Sequence, residues 1–288
     1  MIFFRSRRRL SSYFLAAVVA SLPSACKQAT GEGCAGETFA NDADPPQGEV
    51  WRPRPGTTWQ WQLSEAIDSS IDVDMYDVDL VDISSETIKS LQDDGRIVIC
   101  YFSAGSFEDW RPDARNFEER ALGKKLDQWE GEKWLDIRCP SVKEVISARL
   151  DLAMQKGCDG VEPDNVDGYD NDTGFDISSE TQLRFNQWLA DAAHARGLSV
   201  GLKNDLAQVE QLENSFDWAL NEECLAYDEC DLLSKFVDSQ KAVFHVEYVD
   251  DKKDGITSLG NVCSRLSDKG FSSLVKEWDL DAWRLSCD

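Results

Sequence analysis

The sequence predicts an α/β protein built as a (β/α)8 barrel, the TIM barrel, with room for an extra strand at one end. Strand-like and helical patterns alternate along the chain after residue 55, which is typical of a parallel sheet. The roughly 230 residues that follow are enough for eight such units. Almost every apolar run also ends in charged or amide side chains, and barrels carry their chemistry at the carboxyl ends of their strands.

Nine short runs have the composition of strands. They are Trp59–Leu63, Asp74–Leu80, Arg96–Phe102, Trp134–Ile137, Cys158–Pro163, Leu198–Asn204, Trp218–Glu222, Val243–Tyr248 and Phe271–Val275. A barrel needs eight, so one candidate is extra or misassigned. The first and last runs have the least regular patterns, and we expect the odd strand to be one of these two.

Two segments between the strands have the apolar spacing of helices. Ser141–Lys156 is followed by Gly157, which is suited to end a helix. Ser179–Arg196 begins with the letters SETQ, close to a capping box, and is followed by Gly197.

The N-terminus is expected to direct export. Arg5, Arg7, Arg8 and Arg9 precede an apolar run, Leu10–Leu22, that is too short to span a bilayer. We assign residues 1–25 to an export signal, 26–55 to a flexible tether rich in Gly and Pro, and 56–288 to the catalytic domain. The letters LPSAC before and at Cys26 resemble a lipoprotein cleavage site. Lipidation of Cys26 would give a cell-envelope lipoprotein, and cleavage without lipid would give an extracellular protein.

Export makes disulfides possible for the eight cysteines other than Cys26. Cys224 and Cys230 are close enough to close one loop, whereas Cys100 and Cys158 lie in strand-like runs and could be buried thiols. No cysteine spacing is typical of a zinc site, and two histidines exclude a histidine-rich metal centre. We therefore predict no metal and no cofactor.

The formal net charge is −24, from 54 acidic and 30 basic residues. Such a field repels nucleic acid and anionic membrane surfaces. We expect no nucleic-acid partner, and membrane contact only through a lipid on Cys26. The same charge is suited to a cationic substrate, although solubility alone could also explain it.

The polar side chains at the strand ends define the candidate site. Because side chains alternate along a strand, Glu162 and Asp164 share one face. Paired carboxylates at such a position suit glycosidic bond cleavage. A solvated acidic loop, or a calcium loop over residues 164–172, is the alternative. The candidates are Asp79, Tyr101, Asp136, Glu162, Asp164, Asn165, Lys203, Asn204, Asp205, Glu222, Glu247 and Tyr248.

Six motifs in order resemble glycoside hydrolase family 114, the endo-α-1,4-polygalactosaminidase family. They are VICYFSAGSFEDWRPDA (98–114), EKWLDIR (132–138), KGCDGVEPDNVDGY (156–169), AHARGLSVGLKND (193–205), LNEECLAYDEC (220–230) and KAVFHVEY (241–248). The resemblance implies a (β/α)8 barrel that cleaves α-1,4-linked galactosamine polymers in endo mode. It also implies that Asp164 and Glu222 are the catalytic carboxylates, and the other ten candidates would then bind sugar hydroxyls and amines.

The expected partner is therefore a cationic or partly deacetylated galactosamine polysaccharide. Asp164 as nucleophile and Glu222 as acid and base would give a retaining enzyme, although sequence alone fixes the pair better than the two roles. The alternative is a non-catalytic surface lipoprotein that binds such a polysaccharide without cutting it.

Overall fold

The structure is a computed structural model and describes Cys34, Phe39, residues 50–266 and residues 268–287. The predicted export signal and Cys26 lie outside the described residues. In the part of the chain that the structure describes, no helix combines the length and apolar character that crossing a bilayer requires.

Twelve strands lie within the described residues. They are β1 (Trp59–Gln62), β2 (Met75–Asp79), β3 (Ile97–Ser103), β4 (Ser106–Glu108), β5 (Leu122–Lys125), β6 (Glu132–Leu135), β7 (Gly160–Asp164), β8 (Ser199–Lys203), β9 (Trp218–Glu222), β10 (Val243–Val249), β11 (Ser272–Glu277) and β12 (Leu285–Ser286).

Eight parallel strands form the barrel, which confirms the predicted fold. Their order is β1-β2-β3-β7-β8-β9-β10-β11, and β12 adds to β11 in antiparallel orientation. Where the first and last parallel strands meet, the Trp59 indole donates a hydrogen bond of 2.9 Å to the Ser272 carbonyl. The Leu63 amide donates to the Leu280 carbonyl at the same distance, so the segment before β12 helps to close this seam.

The two runs that we doubted are both barrel strands, the first and the eighth. The extra candidate was instead the run Trp134–Ile137, because its strand β6 belongs to a separate antiparallel sheet of order β4-β6-β5. Parallel strands need a long crossover, usually a helix, and no α-helix separates β3 from β6. The small sheet therefore occupies the loop that follows β3, at the carboxyl end of the barrel.

Seven α-helices lie within the described residues. They are α1 (Ser85–Asp93), α2 (Pro140–Lys156), α3 (Ser179–His194), α4 (Val209–Leu212), α5 (Cys224–Tyr227), α6 (Ser234–Asp238) and α7 (Gly255–Leu266). Both long predicted helices are present. The side chain of Ser178 caps α3 by accepting from the Thr181 amide, and Gly157 ends α2 in a left-handed conformation at φ 89°.

Large aromatic side chains fill the barrel interior. Trp59, Trp61, Trp218 and Phe244 are almost completely buried in one cluster. Gly201 makes room for them, since a Cβ there would lie 2.3 Å from the Trp218 ring. The packed interior leaves the carboxyl-end face as the place where polar side chains can meet.

Four disulfides join described residues of the chain, and they are typical of an exported protein. They join Cys34 to Cys139, Cys100 to Cys158, Cys224 to Cys230, and Cys263 to Cys287. The interpretation of Cys100 and Cys158 as buried thiols was therefore wrong. These two residues lie in and beside the neighbouring strands β3 and β7, which brings their sulfur atoms together.

The predicted tether is fixed to the barrel wherever the structure describes it. Cys34 is buried and bonded to Cys139. The Phe39 ring packs against Phe185, with centroids 5.6 Å apart, and the Pro53 carbonyl accepts from the Ala242 amide. A segment without a periodic pattern can thus still hold residues that a disulfide and aromatic contacts order, and the flexible tether over residues 26–55 stays a prediction.

Candidate active site

Lys203, at the end of β8, lies among three carboxylates from the strands on either side. Its Nζ is 3.0 Å from Glu162 Oε1, 3.2 Å from Asp164 Oδ1 and 3.3 Å from Glu222 Oε2. The lysine is only 2% exposed. Burial alone would lower the pKa of Lys203, but Asp164, Glu162 and Glu222 together raise it well above its usual value. One charged ammonium therefore holds the ends of β7, β8 and β9 together.

Two tyrosines and one asparagine complete the contacts of Asp164 and Glu222. The Tyr101 hydroxyl donates to Asp164 Oδ2 at 3.0 Å, and the Tyr248 hydroxyl donates to Glu222 Oε1 at 2.5 Å. Asn204 Nδ2 donates to Glu222 Oε2 at 3.1 Å. Burial and the nearby carboxylates raise the pKa of both tyrosines well above 10. Both hydroxyls therefore remain protonated and act as donors.

The backbone turns sharply where the three central strands end. Asn165, Asn204, Asp205 and Glu223 all have left-handed backbone angles, with φ of 59°, 49°, 44° and 61°. Left-handed backbone angles are uncommon in residues other than glycine, and those that occur concentrate at functional sites. The turns direct the chain away directly after Asp164, Lys203 and Glu222. They leave these three side chains at the mouth of the barrel.

Glu162 forms the floor of this site together with Asp77, which sequence reasoning did not select. Glu162 accepts a hydrogen bond from the Trp61 indole at 3.1 Å and contacts the Asp77 carboxyl. Burial raises the pKa of Glu162 to about 7, although Lys203 opposes the shift. Burial and the neighbouring Glu162 raise the pKa of Asp77 well above its usual value. Asp77 and Asp79 share one face of β2 because they are two residues apart, but this signal could not show which of the two acids joins Glu162 and Lys203.

A second polar chain extends from the small sheet to the end of β7. The Ser106 hydroxyl donates to Glu132 Oε2 at 2.8 Å, and the Ser103 hydroxyl donates to Asn165 Oδ1 at 2.7 Å. The two serine hydroxyls are 2.7 Å apart. Burial and the nearby Glu108 carboxylate raise the pKa of Glu132 to about 8. Neither serine is among the candidate site residues predicted from the sequence, and this network was missed.

Asp205 belongs to a neighbouring buried network. It accepts from the Tyr169 hydroxyl at 3.1 Å and from Asn186 Nδ2 at 2.8 Å. Burial and the charge of Asp167 raise the pKa of Asp205 to about 8. Burial and the charge of Asp164 raise the pKa of Asp167 to about 6. Asp164 therefore influences Asp167, and Asp167 influences Asp205, but neither Asp167 nor Asp205 makes an ion pair within the described residues.

Three predicted substrate-binding residues do not join the central group. Asp79 is held by both terminal nitrogens of Arg111, at 2.9 and 2.7 Å. Asp136 is completely buried, where it accepts from the Cys34 amide and from Arg138. Glu247 faces away from Tyr248, its neighbour along β10, and accepts from the Leu225 amide at 2.9 Å. Each of these three carboxylates is engaged by protein donors, and their role in substrate binding stays a prediction.

The acids of loop 164–172 do not converge on one point. Asp164 pairs with Lys203, whereas Asp172 pairs with Lys124 on the small sheet. Two groups of described side chains have the spacing to hold a metal ion, and each contains two cysteines that are joined as a disulfide. The central group thus offers two carboxylates, Asp164 and Glu222, that both contact the ammonium of Lys203.

Comparisons with known proteins agree on a family. The model of glycoside hydrolase family GH114 matches residues 40–288. Ega3 of Aspergillus fumigatus, whose crystal structure contains galactosamine, is 42% identical; the match covers 85% of this chain and 100% of that one, with a TM-score of 0.80.

Two more distant relatives extend the comparison. The glycoside hydrolase domain of PelA from Pseudomonas aeruginosa is 15% identical over 80% of this chain and 98% of that one. Its TM-score of 0.64 indicates a common fold. The uncharacterized protein MJ1477 of Methanocaldococcus jannaschii is 24% identical over 274 residues, which cover 79% of each chain.

Proposed function

Because the chain belongs to glycoside hydrolase family GH114, we propose that it hydrolyses α-1,4-linked galactosamine polysaccharide in endo mode with Asp164 and Glu222. The observation that carries the proposal is the position of Lys203, whose Nζ is 3.2 Å from one of these carboxylates and 3.3 Å from the other. The galactosamine bound by Ega3, a relative at 42% identity, supports the sugar.

The reaction needs one ionised and one protonated carboxyl group. Asp164 attacks the anomeric carbon and forms a glycosyl ester, while Glu222 transfers its proton to the departing oxygen. In the second half Glu222, now a carboxylate, takes a proton from water, whose oxygen displaces Asp164. Each bond that breaks is matched by one that forms, and both carboxyl groups return to their starting states.

Two carboxylates within reach of a single ammonium favour the retaining course. Retaining enzymes hold their carboxyl groups about 5–5.5 Å apart, whereas inverting enzymes leave about 6.5–9.5 Å for a water molecule. The Lys203 contacts hold one oxygen of each residue close to the same Nζ. This spacing supports a retaining mechanism, in which one of the two residues is the nucleophile.

Lys203 also fits the movement of charge during the reaction. Formation of the ester removes the charge of Asp164, and loss of the proton places a charge on Glu222. Lys203 lies at nearly the same distance from both, so its attraction to the pair changes little. Tyr101 and Tyr248 donate to the same two groups throughout.

The natural polymer is cationic or partly deacetylated in this proposal. The chain carries a net charge of −24, and the uncompensated acids Asp205 and Asp167 lie beside the central group. A nearby ammonium of the substrate would favour their ionised forms. Glu162, Asn165 and Asn204 would help to orient the sugar. After export, Cys26 would carry a lipid or the protein would be released.

Incubation of the purified protein with partly deacetylated α-1,4-galactosamine polymer tests the proposal. We expect shorter oligosaccharides of mixed length, with or without a strong chelator. A stable complex with polymer of unchanged length would instead indicate a binding protein. Loss of cleavage with the chelator would contradict a mechanism carried by carboxylates alone.

A further inference from the structure

Asp77, in the middle of β2, is a buried acid that the proposed reaction does not use. Its side chain is 0% exposed, and neither of its oxygens has a hydrogen-bond donor among the described residues. The group that it contacts is another carboxyl, that of Glu162. A buried charge without a partner is strongly disfavoured, so Asp77 cannot be an ordinary carboxylate.

Two carboxyl groups in contact within a buried site share a proton, since like charges disfavour ionisation of both. The partners of each group decide where that proton lies. Glu162 accepts from the Trp61 indole at 3.1 Å and is 3.0 Å from Lys203 Nζ. Both contacts stabilise its charged form. Asp77 has neither contact, so its oxygen carries the proton and donates it to Glu162 as a hydrogen bond.

We infer that Asp77 is a positioning residue whose protonated carboxyl fixes Glu162 as a carboxylate beneath Lys203. Glu162 in turn fixes Lys203, and Lys203 lies between Asp164 and Glu222. Asp77 acts through this chain of contacts and not on the substrate. The inference rests on the proposed function for its effect on catalysis, but the protonation of Asp77 can be measured without substrate.

The groups around Asp77 determine how the free energy of unfolding depends on pH. Burial raises the pKa of Asp77, and Glu162 and Asp164 raise it further, whereas Lys203 lowers it. The folded protein therefore keeps a proton that the unfolded chain releases near pH 4. The resulting stabilisation is complete below that pH and is lost as the pH rises towards the higher pKa of the folded state.

Thermal unfolding of Asp77→Asn as a function of pH tests the inference. Asparagine keeps a donor towards Glu162 and cannot be deprotonated. We expect its melting temperature to rise relative to the wild type by about 3 °C or more between pH 4 and pH 8. Parallel curves for the two proteins would overturn the inference.

Asp79→Asn is the matched control, because it is the same substitution on the same buried strand. Asp79 is held by Arg111, so this variant loses an ion pair of the charged form. Its melting temperature should be lower than that of the wild type. A rise like that of Asp77→Asn would show that the effect belongs to any acid on β2 and would overturn the assignment.

Polymer cleavage provides the second readout. Asp77→Asn should keep kcat within about threefold of the wild type, whereas Asp77→Val, which removes the donor, should lower kcat about tenfold with little change in KM. An inactive but folded Asp77→Asn would overturn the inference. If Asp77→Val does not fold, Asp77→Asn alone decides. If the wild type itself fails to cleave the polymer, the proposed function fails and the unfolding curves still decide the role of Asp77.

Discussion

Two buried clusters of charged side chains lie at the same end of the barrel, and they differ in their balance of charge. The arginine cluster consists of Asp79, Glu108, Arg111, Asp113 and Arg149. The lysine cluster consists of Asp77, Glu162, Asp164, Lys203 and Glu222. The first contains two cations for three acids, and the second contains one cation for four.

This difference distinguishes a cluster whose acids are paired with arginines from a cluster that has the groups for the proposed catalysis. In the arginine cluster, both oxygens of Asp79 accept from Arg111, and both oxygens of Asp113 accept from Arg149. In the lysine cluster, one ammonium cannot neutralise all the acids, so some must hold protons. General acid catalysis requires such a protonated group. The imbalance of charge, and not the number of acids, therefore supports the lysine cluster as the proposed site of the reaction.

The largest expected effect follows from replacing either proposed catalytic carboxyl group by an amide. Asp164→Asn and Glu222→Gln should each lower the rate of polymer cleavage by about 10³-fold or more, while the circular dichroism spectrum and the melting transition remain those of a folded protein. Asp170→Asn, at an exposed position of the same loop, is the control and should cleave at nearly the wild-type rate. A folded Asp164→Asn or Glu222→Gln that retains activity would remove that residue from the mechanism.

Substitutions in the arginine cluster should instead lower the free energy of unfolding. Arg111→Met leaves Asp79 without its cation and Glu108 with only Arg149. It should lower the free energy of unfolding by about 3–5 kcal/mol, measured by urea denaturation. Arg120→Met breaks an exposed ion pair with Glu118 and should cost at most about 1 kcal/mol. Similar small losses in both variants would show that the arginine cluster does not stabilise the fold.

Removal of the cation of the lysine cluster should lower the rate of polymer cleavage. Lys203→Met removes the group that holds Asp164 and Glu222 in place, and displacement of reacting groups by about 1 Å can cost roughly 100-fold in rate. We expect a loss of kcat of that size. Lys235→Met, which breaks an exposed pair with Glu210, serves as the control. Unchanged cleavage by Lys203→Met would mean that the two carboxylates do not depend on their shared ammonium.

The smallest expected effect comes from a single hydroxyl. Tyr248→Phe removes the hydrogen bond to Glu222 but keeps the ring, which stacks on Trp278 with centroids 3.9 Å apart. Hydrogen bonds to charged groups are worth about 1.5–3 kcal/mol, so kcat should fall by about tenfold or more. Tyr227→Phe changes a side chain that is 69% exposed and should have no effect. Equal rates for the two variants would contradict a role for the Tyr248 hydroxyl.

Local pattern predicted the lysine cluster better than the arginine cluster. Alternation along β7 places Glu162 and Asp164 on one face, and both reach Lys203. The position of Asp79 could not be predicted in this way, because its partner Arg111 lies 32 residues further along the chain. Asp136 is similar, since Cys34 contacts it from 102 residues away. Contacts of this kind depend on how loops fold back, and periodicity carries no information about them.

The fold shows the same limit. Alternating strand and helix patterns predicted the barrel, including six of its eight strands without doubt. The doubtful runs at residues 59–63 and 271–275 proved to be strands. They meet across the seam, where Trp59 and Ser272 are joined. Local pattern could not show this contact because the two runs are far apart in sequence. Asp77 was overlooked for a related reason. Asp77 differs from the other acids because neither of its oxygens has a hydrogen-bond donor within the described structure. The sequence does not show which contacts a side chain lacks.

The most direct test of the central claim is to trap the glycosyl ester. Glu222→Gln would be incubated with a galactosamine oligosaccharide activated as its α-fluoride, whose departure needs no acid, and then digested for mass spectrometry. Because the variant lacks the base for the second step, we expect the sugar to accumulate on the peptide that contains Asp164. Sugar attached to another acid, or wild-type cleavage that inverts the anomeric configuration, would contradict Asp164 as the nucleophile of this site.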